Sequence, residues 1–268
     1  MLRSVSLALT LWLFSFPPAF AWGFLGHHII ARIAASNLTP KAISAVADLL
    51  GGESLSAMIA ASTYADEIRP NRRETAPWHY VNIEIDSNGY NAARDCPDDA
   101  CVVAQIEHEE SVIGDASISK PIRAEALRFL IHFIGDLHQP LHCADNHDRG
   151  GNLVKVVLGG QQTNLHAVWD TEVVEALGSS EETVAAVLAS KITQSDRKAW
   201  SRGTAVSWAN ETWAVAKRFV YGSFPGRGAT DAPIVLPNTY ASAQEAVVAR
   251  QLERAGARLA AVLNRRLK

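Results

Sequence analysis

Basic charge is in short supply in this 268-residue chain: 25 lysines and arginines stand against 28 aspartates and glutamates, for a net charge of −3. That balance excludes a protein that docks on duplex nucleic acid or anionic membrane by bulk charge. It does not exclude an enzyme that grips phosphate through metal ions. Beyond the first residues the chain also lacks any apolar run approaching the ~20 residues a membrane-spanning helix needs. It has no internal repeat, no low-complexity tract, no linker and no heptad seam, so one domain and a monomer are expected. Cysteine is scarce, with only Cys96, Cys101 and Cys143. What is plentiful is apolar residues, 48% of the chain and enough for a sizeable core.

The exception to the missing apolar runs is the N-terminus. Arg3 precedes an apolar run from Leu7 to Phe16, and Ala19-Phe20-Ala21 fits the small-residue pattern of signal-peptide cleavage. Residues 1–21 are therefore expected to be removed, leaving an exported protein, periplasmic or secreted, that begins at Trp22. Export permits disulfides. Cys96 and Cys101 flank the turn-like stretch CPDDAC and are expected to pair, leaving Cys143 as a buried thiol.

Helical periodicity dominates the remainder. Helices are expected at Gly23–Ser36, from Thr39-Pro40 to Gly51, at Leu55–Arg69, Cys101–Ile118, Pro121–Leu137, His166–Leu177, Glu181–Ile192, Lys198–Tyr221 and Thr239–Leu263. Trp78–Ile85 reads as extended, and Leu153–Leu158 with Gln161–Thr163 as a β-hairpin turning at Gly159-Gly160. Gly222–Pro237 reads as a long loop. The expected fold is one mainly α-helical domain, residues 22–268, with a small hairpin.

The stretch Ile131–His142, IHFIGDLHQPLH, carries the chemistry. His132 and Asp136 are four apart and share a helix face, and Pro140 ends that helix so that His142 can fold back. His166 and Asp170, in HAVWD, repeat the spacing. Imidazole and carboxylate at i and i+4 suit a divalent metal. One such pair alone is more commonly a buried histidine bonded to an aspartate, but two pairs beside His142 point to metal. His27, His79 and the helical carboxylate Asp66 are further candidates, although each taken singly also reads as a structural residue. His28, His108, His138 and His147 read as structural or surface residues; for His138, inside the central motif, orienting a ligand is the alternative reading.

The motifs WGFLGH, YADEIR, WHYVN, HFIGDLHQPLH, GGN and HAVWD, in this order, resemble the zinc-dependent single-strand nucleases of the S1/P1 family, related to zinc phospholipase C. The resemblance implies a helical fold of the phospholipase C/nuclease type and three zinc ions. Asp66, His79, His132 and Asp136 would hold one ion. Trp22, through its free amine and carbonyl, would hold a second with His27 and the bridging Asp136. His142, His166 and Asp170 would hold the third. It further implies hydrolysis of RNA and single-stranded DNA to 5′-phosphate products, and release of phosphate from 3′-mononucleotides. Arg69 and Asn152 would contact the phosphate, and Tyr80 would stack on a base. Three zinc ions bring +6 against −3 from the three aspartates, so an acidic chain can still receive a polyanion. At Asn82 the sequence departs from the fungal pattern, which has aspartate. An amide donates as well as accepts, so base preference is not carried over. The alternatives are a zinc phospholipase C-like lipid phosphodiesterase, against which Asp170 speaks because those enzymes carry glutamate there, and an extracellular zinc-binding protein without catalysis.

Overall fold

The computed structural model describes residues 22–222 and 228–267, so the expected leader, residues 1–21, lies outside the described residues. The order of elements is α1 (Gly23–Ala35), α2 (Pro40–Leu50), α3 (Ser54–Ala61), α4 (Tyr64–Ile68), a 3₁₀ turn (Arg73–His79), α5 (Ala92–Asp95), α6 (Val102–Gly114), α7 (Lys120–Asp136), β1 (Lys155–Leu158), β2 (Gln161–Asn164), α8 (Leu165–Asp170), α9 (Glu172–Glu175), α10 (Glu181–Lys191), α11 (Gln194–Trp200), α12 (Ala205–Val215), β3 (Ile234–Val235), α13 (Tyr240–Ala243) and α14 (Glu245–Arg266). The mainly helical class expected from the sequence is what the chain adopts.

Local chemistry sets the helix starts. Thr39 caps α2 by accepting from the Ala42 amide, with Pro40 preorganised at the first helical position. Asn164 caps α8, the helix that carries His166 and Asp170, by accepting from the Ala167 amide at 2.8 Å. Thr193 with Asp196 and Thr204 with Ser207 form reciprocal capping boxes on α11 and α12.

The core gathers around α1, which packs against α3, α7, α10 and α14. Ile29, Ile30 and Ile33 of α1 are all but fully buried, as are Leu127, Leu130 and Phe133 of α7 and Leu252, Leu259 and Leu263 of α14. Gly256 lets α14 close on α1, because a Cβ there would collide with Ile33. The Cys96–Cys101 disulfide forms, with a Cα separation of 5.2 Å, and Cys143 is buried and free.

Several expected boundaries give way to tertiary demands. The helix expected over Leu55–Arg69 breaks into α3 and α4 at Ser62-Thr63, and the break exposes the Ser62 carbonyl, which accepts a hydrogen bond from His132. Lys198–Tyr221 is not one helix. The chain turns between α11 and α12 through Gly203 at φ 91°, where a Cβ would press on the Trp208 indole, and a π-helical turn (Ala216–Tyr221) follows α12. Thr239–Leu263 is interrupted at Gln244 and runs on to Arg266. Trp78 and His79 close the 3₁₀ turn, and only the residues after them are extended, tied to the loop beyond α7 by Val81 N–H to the His142 carbonyl (2.8 Å) and Ile85 N–H to the Asp145 carbonyl (2.9 Å). The hairpin gains a third strand from within the expected Gly222–Pro237 loop: β3 lies parallel to β1, Val156 opposite Ile234, giving the order β2-β1-β3.

Candidate metal centre

Asp66 sits in α4, His79 at the end of the 3₁₀ turn, and His132 and Asp136 one turn apart on the last part of α7. All four are buried. His79 Nδ1 lies 3.1 Å from His132 Nε2 and 3.0 Å from Asp136 Oδ2, and His132 Nε2 lies 3.1 Å from the same oxygen. Asp66 closes the group from the fourth side, at 3.6 Å from His79 Nδ1 and 3.8 Å from His132 Nε2. A tetrahedral zinc with ligands at ~2.0–2.1 Å has ligand–ligand edges of about 3.3 Å. The four donors are spaced like the corners of such a site. Asp66 Oδ1 and Asp136 Oδ1 are buried without hydrogen-bond partners, a costly arrangement in the absence of a cation.

The other Asp136 oxygen faces α1. His27 Nε2 is 3.3 Å from Asp136 Oδ1, and both His27 nitrogens are buried and unpartnered. The His27 ring stacks on His132 at 4.1 Å between centroids. Gly135 permits this approach, since a Cβ there would stand 2.8 Å from His27 Nδ1. Trp22 is fully buried, and its indole N–H donates to the Gly135 carbonyl at 2.8 Å, which anchors Trp22 beside Asp136. The Trp22 carbonyl accepts from the Gly26 amide at 3.1 Å.

The third group is nearer the surface. His142 and His166 stack at 5.0 Å, and His166 Nε2 is 3.4 Å from Asp170 Oδ2, a buried oxygen without a hydrogen bond. Gln139 fixes Asp170 by donating to Oδ1 at 2.6 Å, while its own carbonyl accepts from the Leu141 amide. Groupings of His27-Asp66-His132, His79-His132-Asp136 and His142-His166-Asp170 thus each bring ligand-type atoms within reach of one ion.

The backbone sets the tautomers. His132 Nδ1 donates to the Ser62 carbonyl, His142 Nδ1 to His79 and His166 Nδ1 to Gly150, each at 2.7 Å. In each ring this leaves Nε2 with its lone pair available to a metal. Burial pushes His142 down to about 3 and His166 down to about 4, so both imidazoles are neutral near pH 7, as a ligand must be. Burial opposes a charged His132, but Asp136 and Asp66 outweigh it and raise the group to about 9. Burial likewise opposes Asp136 ionisation, yet His132, His27 and His79 hold its carboxyl well below the usual range. Burial drives Asp170 the other way, well above it. An excess of carboxylate around shared imidazole protons is what a divalent cation neutralises.

The chain matches the S1/P1 Nuclease family over residues 22–268. It belongs to that family. It is 32% identical to nuclease P1 of Penicillium citrinum over 91% of this chain and 97% of that one. It is 30% identical to endonuclease 2 of Arabidopsis thaliana, over 98% and 97%, and 30% identical to nuclease S1 of Aspergillus oryzae, over 91% of each. The family is one of zinc-dependent hydrolases, so this nuclease has the enzyme class and the metal type that its donor set favours.

Beside the third group opens a cleft of about 460 Å³, lined by Tyr80, Asn82, Leu141, Arg149, Asn152 and His166. Tyr80 is 39% exposed, not buried in the core as an extended-segment aromatic would be. Asn152 donates to the Arg149 carbonyl at 2.9 Å, leaving its second amide hydrogen and its carbonyl to the cleft. Arg69 stands one turn beyond Asp66, 3.7 Å from its Oδ1 and one-third exposed. The structure therefore places Tyr80, Asn82 and Asn152 around one cleft beside His166, and Arg69 beside Asp66. His138 stands apart. Its ring donates to the Ile134 carbonyl and faces Arg258, so it braces α7 against α14. Gln139, Gly135 and Arg149 escaped the sequence reading. Gln139 sits inside the central motif, and a glutamine beside the proline that ends a metal-bearing helix was the one available sign.

Proposed function

We propose that this nuclease is exported, loses residues 1–21, and works as a single-domain monomer (22–268) that hydrolyses RNA and single-stranded DNA to 5′-phosphate products and releases phosphate from 3′-mononucleotides. The observation that carries this reading is the convergence of three donor groups, two of them sharing Asp136, beside a cleft with an exposed tyrosine.

The donor set fits three zinc ions. Asp66, His79, His132 and Asp136 would hold one; Trp22, His27 and Asp136 a second; His142, His166 and Asp170 the third. Zinc bound there supplies Lewis acidity and lowers the pKa of coordinated water to near 7. Asp136 offers one carboxylate oxygen to each of two groups and so fixes their separation. Arg69 holds a positive charge beside Asp66, where negative charge grows on an attacked phosphate. Asn152 offers an uncharged donor to a phosphate oxygen, and Tyr80 a face on which an unpaired base lies. A base held in a duplex cannot lie on Tyr80, which accounts for single-strand preference.

The test is mature protein beginning at Trp22, with zinc content and cleavage of single-stranded DNA measured on one sample. Close to three zinc ions per chain, with activity lost to chelator and restored by zinc, is expected. Bound zinc without nuclease activity would overturn the reading.

A further inference from the structure

Arg149 has no assigned role, and its surroundings are unusual. Among the described residues its guanidinium has no hydrogen-bond or ion-pair partner, although it lines the cleft. Its backbone lies at φ 55°, in the left-handed region that an arginine enters only when its surroundings impose it. The surroundings do so on both sides. Asp148, fully buried, accepts from the Gly151 amide and the Tyr221 hydroxyl, each at 2.9 Å. On the other side the Gly150 carbonyl accepts from His166 at 2.7 Å. Arg149 is thus clamped by its backbone between a buried anchor and a metal-ligand candidate, on the wall of the cleft.

We propose that Arg149 reads the edge of the base stacked on Tyr80 and gives this nuclease a preference for guanine, an inference that rests on the nuclease reading above. The cleft wall that holds Arg149 also holds Tyr80 and Asn82 as well as Asn152 and His166, and does not include Arg69 or Asp66. The phosphate already has Arg69 and the metal-binding groups, so a further fixed cation is better placed for the base. Arginine offers only donors. Guanine presents two acceptors, O6 and N7, on one edge and takes a guanidinium in two parallel hydrogen bonds. On the corresponding edge, the one a duplex turns to its major groove, adenine and cytosine carry an amino donor and uracil offers one acceptor. Asn82 both donates and accepts, so it tolerates every base and leaves the choice to Arg149.

The sixteen ribodinucleoside monophosphates test this, because each carries a single phosphate, the one that is cut. With the zinc-loaded enzyme, kcat/KM is expected to favour guanine at one of the two positions. In Arg149→Gly, chosen because glycine accepts the left-handed backbone, that guanine substrate should lose about tenfold to a hundredfold relative to its adenine counterpart. Arg149→Lys keeps the charge but not the planar fork and should not restore the ratio. Zinc content and melting temperature verify that each variant is folded. A wild-type enzyme indifferent to base, equal losses on all sixteen substrates, or full restoration by lysine would each overturn the proposal. A zinc-loaded wild type that cuts none of the sixteen would instead remove the nuclease reading on which it rests.

Discussion

Gly135→Ala is the smallest change that separates the metal site from the fold. The added Cβ would lie 2.8 Å from His27 Nδ1, 3.0 Å from its Cε1 and 3.4 Å from Ile30 Cδ1. Comfortable contact is ~3.5 Å or more, so the imidazole must retreat by roughly half an ångström to one. It has little room, being 1% exposed with His132 stacked on its face at 4.1 Å. Alanine favours the helix by ~0.5–1 kcal/mol, and the overpacking costs about 1–3 kcal/mol. The net loss of about 1 kcal/mol lowers the melting temperature by ~2–4 °C in a chain of this size. The functional loss is larger. His27 Nε2 leaves its place 3.3 Å from Asp136 Oδ1, the ion shared with Trp22 is lost, and kcat/KM falls about a hundredfold. The assay is zinc stoichiometry by mass spectrometry together with single-strand cleavage. Gly114→Ala is the control, because its Cβ would meet mainly the flexible Arg266 side chain, and it should keep full zinc and activity. A Gly135→Ala enzyme with wild-type zinc and wild-type rate would refute the assignment of His27.

Three other outcomes are expected. A tag joined directly to Trp22 turns its amine into an amide, so the protein should bind one zinc fewer and be nearly inactive; full zinc and full activity would show that the amine is not a ligand. Tyr80→Ala removes an exposed aromatic face and should weaken single-strand binding by ~1–3 kcal/mol with little base dependence, measured by KM on homopolymers. Glu109, in α6, is buried, and burial with help from Glu125 raises it from 4.5 to about 7 against the pull of Arg72. Below pH 4.5 the carboxyl is protonated in both folded and unfolded chains and costs nothing. Between 4.5 and 7 the unfolded chain ionises first, and stability falls by up to ~3 kcal/mol. Glu109→Gln should abolish that fall, and identical denaturation midpoints for the two proteins at pH 8 would contradict it.

The candidate ligands were legible because metal chemistry restricts residue type and spacing together. His132–Asp136 and His166–Asp170 keep their i,i+4 relation in α7 and α8. What holds the ligands was less legible, because it is built from backbone. The Ser62, His79 and Gly150 carbonyls that orient three imidazoles come from a helix break, the end of a 3₁₀ turn and a glycine turn, and any side chain at those positions offers the same carbonyl. The break at Ser62 runs against an unbroken apolar period, so periodicity could not reveal it. β3 was invisible for a related reason: two residues paired to an existing strand carry no alternation of their own. Arg149 was passed over because its meaning lies in the company of Tyr80 and Asn82, which are far away in sequence.

The disulfide closes a loop of only five residues, and a cross-link restrains an unfolded chain less the shorter the loop it closes. The proposed ligands run from Trp22 to Asp170 and come from α1, α4, the 3₁₀ turn, α7, the turn after it, and α8. Metal bound across those segments ties most of the sequence into closed circuits that unfolding must open. Every ion held by the native chain alone also adds RT ln(1 + [L]/Kd) to its stability. The metals proposed for catalysis would then serve as long-range staples against proteolysis. A compartment that withholds zinc would expose the enzyme to degradation as well as silence it.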